Sequence, residues 1–288
     1  MKVLNNVSMK NYTTYKTGGV VKNMYFVSNV EELIELIKEL KNKDEKFYII
    51  GNGSNIIVDD NDFDGSIINL KEMNKFEITD SILTCECGVM VPFIANKTIN
   101  DSYKGLEWAI SIPGTIGGCI YNNAGAYNGC MQDVISSVTV LDKDYNIKEL
   151  SLEECDFGYR SSIFKTNKEY IILSCEIKLE QYDKDKLLEL VEDRKQRRLE
   201  SQPLEYPSAG SVFRNPENVP AGKLIDELGL KGLKIGGAQI SEKHANFIVN
   251  TGDATSNDIK NLIELIKDKV KENYNIDLVL EQEIINWE

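Results

Sequence analysis

The stretch Ser208-Ala209-Gly210-Ser211-Val212-Phe213-Arg214-Asn215-Pro216 sets a serine directly after a glycine, ahead of a β-branched residue and a basic one. A hydroxyl in that setting has the look of a nucleophile, and a nucleophilic serine needs a general base within hydrogen-bond reach. The whole chain holds one histidine, His244, to serve. Nor does "AGS" match the Gly-x-Ser-x-Gly elbow that presents the serine of a hydrolase. The residues around Ser211 therefore pose a chemical question that they do not answer alone.

Two glycine clusters bear on it. The turn Gly51-Asn52-Gly53-Ser54-Asn55 is followed by Ile56, Ile57 and Val58, a β-branched run that favours a strand. A dinucleotide loop of the Rossmann kind must open into a helix, so this Gly-x-Gly is not one. A turn of glycines and asparagines can still aim several main-chain N–H groups to one side and form a concave anion site. The second cluster sets Gly105, Gly114, Gly117, Gly118, Gly125 and Gly129 around the single Pro113. So much glycine costs folding entropy, and it is tolerated where backbone must pass close to something bulky. Two such loops in one half of the chain suggest an extended phosphate-bearing cofactor lying across main chain.

The elements that position these residues follow from periodicity and punctuation. At 288 residues the chain can bury a large core, and more than one domain is expected. Ser28 and Glu31 read as a capping box ahead of a helix with Val30, Leu33, Ile34, Ile37 and Leu40 on one face. "FYII" reads as a strand, "VTVLDKDYNIKEL" as strand, turn and strand, and "EYIILSCEIKLE" as another strand. An amphipathic helix from about 183 to 200 turns Leu187, Leu188 and Val191 inward, and its basic run Arg194, Lys195, Arg197, Arg198 reads as a solvated face. Pro203 and Pro207 then break the pattern. The last third contains a short helix at "AGKLIDELGL", strands at "GGAQI" and "NFIVN", a long helix capped by Thr255 and Asp258, and a final strand at "LVLEQEII". The expected division is 1–182, a connecting helix and linker over 183–202, and a smaller α+β unit over 203–288.

Composition narrows the function classes. A net charge of −13 repels nucleic acid and anionic membrane, so an anionic ligand must be held by local donors. No apolar run approaches the roughly 20 residues of a membrane span, and "MKVLNNVSMKNY" lacks the apolar core of a signal peptide. A cytoplasmic protein is expected. The six cysteines are scattered without a Cys-x-x-Cys pair, and with one histidine beside them no metal site is expected.

Taken together, "YKTGG", "GNGSN", "IPGTIGG", "NAGAY", "YRSSIFK", "PSAGSVFRNP", "AGKLI", "LKG", "GGAQISEKHANFIVN" and "LEQE" stand in the order of one family. On these motifs the chain resembles the UDP-N-acetylenolpyruvoylglucosamine reductases, and in particular their shorter subclass. The resemblance implies an α+β chain. Its two-lobed FAD-binding region, of the vanillyl-alcohol-oxidase (PCMH) type, would be followed by a smaller α+β substrate domain. It also implies NADPH-dependent reduction of UDP-N-acetylglucosamine enolpyruvate to UDP-N-acetylmuramate in peptidoglycan precursor synthesis. FAD would be held non-covalently. Its pyrophosphate would sit on Gly51, Asn52, Gly53, Ser54 and Asn55, while Pro113, Gly114, Thr115, Gly117, Gly118 and Asn123, Ala124, Gly125, Ala126, Tyr127 wrap the rest. NADPH and the UDP-sugar are the implied partners, with no obligate protein partner evident.

By the same resemblance Arg160, Ser211 and Glu283 are the catalytic residues, and Tyr159, Asn215 and His244 contact the substrate. The chemistry is coherent. Hydride addition to an enolpyruvyl ether leaves an enolate, a base strong enough to take a proton from a hydroxyl, so Ser211 can act as a general acid without a histidine. The guanidinium of Arg160 can grip the carboxylate and steady the enolate charge. Glu283 lies among Val279, Leu280, Ile284 and Ile285, where partial burial favours the protonated acid; Glu281, two residues earlier, would share its strand face. Two departures from the family pattern bear on substrate affinity: Ser201 stands where many relatives have a lysine before "QPL", and Ile285 where they often have a basic residue. Two competing readings remain at this stage. One is a different FAD oxidoreductase on the same fold, with Cys119 or Cys130 as a covalent tether. The other is a nucleotide-binding module without catalysis.

Overall fold

The structure, a computed structural model, describes residues 1–286. Helices and strands are interspersed in an α+β arrangement. Lys2–Ser8, Val20–Phe26, Phe63–Asn69 and Phe47–Ile50 form a four-stranded sheet in that order. Contacts divide the chain into two units: Met1–Val3, Met24–Asn52 and Ile67–Arg197 in the first, and Leu4–Asn23, Gly53–Ser66 and Arg198–Glu288 in the second.

The first unit is built on a five-stranded sheet in the order Ile147–Ser151, Ile135–Leu141, Ile171–Lys178, Ile82–Glu86, Phe76–Thr79, with antiparallel neighbours throughout. The β-branched run "IILSCEIK" takes the central position, as its propensity favours. Cys175 pairs with Cys85 across this sheet, their sulfurs 3.7 Å apart, and all six cysteines are free thiols. The helix Val30–Asn42 packs Leu33, Leu36, Ile37 and Leu40 into the core. Its N-cap is Asn29, whose side chain accepts from Glu32 N at 2.9 Å, so the expected box of Ser28 and Glu31 is displaced by one residue. Ser28 instead donates twice to the Glu32 carboxylate. In the helix Lys184–Ser201, Leu187 and Val191 are buried, whereas Leu188 is exposed, contrary to its expected inward face.

The second unit packs the helix Ser256–Tyr274 with the three-stranded antiparallel sheet Lys234–Ile235, Ala238–Ile240, Ile248–Asn250. Thr255 and Asp258 make the expected reciprocal cap, at 3.0 and 2.9 Å. The final strand is shorter than "LVLEQEII" suggests. Leu280 bridges Phe213 antiparallel, after which Glu283–Ile285 pairs in parallel with Ile56–Val58, so the segment changes partner at Glu281 and Gln282. No helix among the described residues is long and apolar enough to cross a membrane, and among them no cluster of three His, Cys, Asp or Glu side chains could hold a metal ion.

Candidate active site

In the first unit the two glycine-rich segments lie against each other. Gly51 follows the strand Phe47–Ile50, and a Cβ there would fall 2.3 Å from the Thr115 hydroxyl oxygen, so only glycine allows the approach. Asn69, at the end of its strand, donates to the Gly51 carbonyl at 3.1 Å. Asn52 donates from Nδ2 to the Pro113 carbonyl at 2.7 Å and accepts on Oδ1 from Lys71 Nζ at 2.8 Å. Thr115 caps the short helix Ile116–Tyr121 by accepting from Gly118 N at 3.3 Å. Gly114 and Gly117 are fixed through main chain, Gly114 accepting from Val91 N and Gly117 donating to the Cys87 carbonyl. Asn69 and Lys71, which brace the turn, carry no motif that marks them in the sequence.

Asn123 is buried and bonds Gln132 in both directions while also donating to the Gly158 carbonyl at 2.8 Å. Ala124 O accepts from Met131 N at 3.0 Å. Gly125 and Ala126 pair antiparallel with Cys130 and Gly129, and Tyr127 and Asn128 form the two-residue loop between them. Arg160 reaches this hairpin: Nη2 donates to Gly125 O at 2.8 Å and Nη1 lies 3.5 Å from Asn123 O. Arg160 occupies the third position of a tight turn closed by Gly158 and Ser161, with φ +53°, where glycine or asparagine is the usual occupant. An arginine held there stores backbone strain on the order of 1 kcal/mol, a feature that concentrates at functional sites. Its guanidinium lies 5.3 Å from the ring centroid of Tyr159, which is exposed.

The second unit holds the rest of the glycine turn. Gly53 has φ +66°, and a Cβ on it would lie 2.0 Å from the Tyr12 carbonyl. Its own carbonyl accepts from Thr14 N at 3.1 Å. The Asn55 side chain donates to Glu281 O at 3.1 Å, and Asn55 O accepts from Glu283 N at 2.9 Å. The main-chain N–H groups of Gly53, Ser54 and Asn55 donate to no acceptor among the described residues. A turn whose carbonyls are engaged while its N–H groups stay open fits an anionic ligand such as a diphosphate.

Ser211 stands between buried Ala209 and buried Val212 and Phe213, itself half-buried. Val212 O accepts from Glu281 N at 2.9 Å and Arg214 N donates to Val279 O at 2.9 Å. The Gln282 side chain donates to the carbonyls of Ala209 and Gly210, at 3.2 and 3.3 Å, immediately ahead of Ser211. Ser211 and Glu283 both belong to the second unit, and Arg160 belongs to the first. Ser211 Oγ makes no hydrogen bond to any described residue, His244 included. His244 is placed otherwise: its Nδ1 accepts from Asn246 N at 3.2 Å, and its ring meets Phe247 edge-on at 4.7 Å. Burial pushes its pKa down, and Lys231 adds to the shift. Asn215 accepts from Ala221 N at 3.0 Å at the start of the helix Ala221–Glu227.

Comparison with known proteins adds an independent line. Residues 202–285 match the model of the C-terminal domain of UDP-N-acetylenolpyruvoylglucosamine reductase, and residues 22–151 match that of an FAD binding domain. The UDP-N-acetylenolpyruvoylglucosamine reductase of Caldicellulosiruptor saccharolyticus is 42% identical over 286 residues, covering 99% of this chain and 91% of the relative. The one from Carboxydothermus hydrogenoformans is 43% identical over 284 residues, covering 98% and 94%. The crystal structure of the Thermus caldophilus reductase superposes with a TM-score of 0.85 at 32% identity, covering 99% of both chains.

Proposed function

This chain belongs to the UDP-N-acetylenolpyruvoylglucosamine reductase family, and on that premise we propose that it reduces UDP-N-acetylglucosamine enolpyruvate to UDP-N-acetylmuramate with NADPH, through FAD, in peptidoglycan precursor synthesis. The observation that carries the reading is the tie, through the Phe213–Leu280 bridge and the Gln282 side chain, between the segment of Ser211, a hydroxyl without a base, and the segment that leads into the carboxyl group of Glu283. That pair suits protonation of a strongly basic carbon and does not suit acyl transfer. When bound, FAD would supply the hydride chemistry that links NADPH to the enolpyruvyl group.

The protein's share is binding, orientation and one proton. Gly51 to Asn55 would receive the FAD diphosphate on main-chain N–H groups, and residues 113–118 and 123–127 would wrap the remainder. Arg160 would hold the substrate carboxylate and offset the charge that grows as the enolate forms. Ser211 would deliver its proton to the carbon bearing that carboxylate. Glu283, neutral at that moment, would avoid opposing the enolate; infrared detection of an ionised Glu283 throughout turnover would remove it from this role. Tyr159, Asn215 and His244 would contact the substrate. We assign FAD binding to 1–182, the connection to 183–202 and substrate binding to 203–288. Family-model matches at 22–151 and 202–285 support the two ends of that division.

FAD is bound without a covalent tether in this reading. Burial pushes the Cys119 thiol up to about 12, and burial with Asp133 pushes that of Cys130 up to about 11. Thiols held so far from ionisation are poor nucleophiles. Denaturing the yellow protein should release free flavin. We also infer a cytoplasmic enzyme, where NADPH and the UDP-sugar are both at hand. The deciding experiment is stopped-flow absorbance of the flavin. NADPH should bleach it, and the enolpyruvyl UDP-sugar should then restore it. A purified chain that takes up no flavin, or a reduced flavin indifferent to the UDP-sugar, overturns the proposal.

A further inference from the structure

We propose that Arg194, outside the site described above, is a positioning residue for Arg160, acting through the hairpin Gly125–Cys130. The inference rests on the reading of Arg160 as the group that holds the substrate carboxylate.

The hairpin needs outside support. Its loop residues Tyr127 and Asn128 both have positive φ, +51° and +64°, the pattern of a type I′ turn. Asparagine tolerates that conformation, but a bulky tyrosine is held there only if its surroundings demand it. Packing does not supply the demand, because Tyr127 is exposed. Arg194 does. The Tyr127 hydroxyl donates to the Arg194 main-chain carbonyl at 2.8 Å, and the Arg194 guanidinium lies 5.6 Å from the centroid of the Tyr127 ring.

Arg194 is itself fixed. Its side chain is 13% exposed and faces Glu107, 8% exposed, at 3.6 Å, while Glu107 accepts from Gly105 N at 2.7 Å. That separation is ionic contact without a good hydrogen bond, and Arg194 Nη1 is buried with no hydrogen-bond partner among the described residues. An arginine kept largely out of water without full hydrogen bonding is costly for a helix that needs only solubility on this face. At the other end of the hairpin, Gly125 O is the acceptor of Arg160 Nη2 at 2.8 Å. A continuous path runs from Glu107 through Arg194, Tyr127 and Gly125 to Arg160. The base of the hairpin has separate supports in the bonds of Asn123 to Gln132 and of Met131 to Ala124. Loosening the tip should therefore shift Arg160 together with Gly125 to Tyr127, while Asn123, Ala124 and residues 113–118 keep their places against flavin.

The test uses the flavin-loaded enzyme and the variants Arg194→Ala and Arg194→Lys, the latter keeping the charge beside Glu107 in case the alanine form does not fold. Hydrogen exchange in the oxidised enzyme without substrate should quicken in residues 125–130 and stay unchanged in Ile135–Leu141. FAD Kd should move by less than about threefold. Bleaching by NADPH should keep its rate, whereas restoration by the UDP-sugar should slow by roughly tenfold or more, the scale expected when a binding group is misplaced. In an Arg160→Lys background the Arg194 substitution should add little, because the two act in series. Equal slowing of both half-reactions, full additivity with Arg160→Lys, or unchanged exchange in the hairpin would each overturn the proposal. Should wild-type flavin fail to respond to the UDP-sugar, the family reading fails instead, and hairpin exchange still decides whether Arg194 holds Tyr127.

Discussion

Gln282 donates from Nε2 to the carbonyl of Gly210 at 3.3 Å, tying the residue before Glu283 to the residue before Ser211. It also donates to Ala209 O at 3.2 Å and accepts on Oε1 from the Tyr15 hydroxyl at 3.2 Å. Burial raises the Tyr15 pKa, so that hydroxyl remains a donor. An amide can give in one direction and take in the other; an ionised carboxylate cannot. Gln282→Glu, nearly the same shape, would turn a charge toward two carbonyls in a buried place and should destabilise the protein by roughly 1–3 kcal/mol. Urea unfolding measures this, and a midpoint equal to that of the wild type would show that Gln282 does not hold the two segments together.

Ser211→Ala separates the proton from the hydride. NADPH should bleach the flavin of this variant at nearly the wild-type rate, while restoration by the enolpyruvyl UDP-sugar slows by about 10²–10⁴-fold, the usual contribution of a positioned proton donor. Rapid-mixing absorbance resolves the two halves. Loss of both together would mean that Ser211 shapes the site and does not donate.

The features legible in the sequence are those that local chemistry fixes. Glycines at 51 and 53 announce positive φ or close approach, and the collisions a Cβ would make with Thr115 and Tyr12 are the reason they are needed. Thr255 and Asp258 sit three apart and bond each other as that spacing dictates. What the sequence hides depends on distant partners. Arg194 lies in a basic run on a polar helix, and only the position of Glu107, eighty-seven residues away, turns it from a solvated side chain into a buried one. The run "LVLEQEII" has the apolar content of a single strand, yet its pairing passes from Phe213 to Ile56, leaving Val279 and Ile284 exposed. Lys71 and Asn69 carry no motif, because their work is to hold a neighbour through side-chain bonds.

Having one imidazole makes a clean pH experiment possible. Burial lowers the pKa of His244 in the fold, whereas the unfolded chain keeps a value of about 6.5. Between those two values the unfolded state binds more protons than the folded one, so stability rises with pH. The contribution of His244 is complete above about pH 6.5 and is lost as the pH falls toward the lowered folded-state value. His244→Gln can still accept from Asn246 N but does not titrate. The difference in unfolding free energy between wild type and variant should therefore shrink as pH falls from about 7 to about 5. A pH-independent difference would place the imidazole in a more open setting than its contacts with Asn246 and Phe247 indicate.

Lys71 offers the sharpest test of how the glycine turn receives an anion. Its ammonium donates to Asn52 Oδ1 at 2.8 Å, and the same amide donates onward to Pro113 O at 2.7 Å, so the cation orients the side chain that joins the two glycine segments. In a chain of net charge −13 it also brings positive charge near the turn. Lys71→Met keeps much of the apolar stem and removes the donor and the charge. A partly buried hydrogen bond from a charged group is worth about 1.5 kcal/mol, so FAD Kd should rise about tenfold. The affinity of the variant should also fall less steeply with added salt, since one attractive charge has gone. Quenching of flavin fluorescence at two ionic strengths measures both. If Kd rose with no change in the salt dependence, Lys71 would act only by orienting Asn52; an unchanged Kd would mean that the turn holds its shape without it.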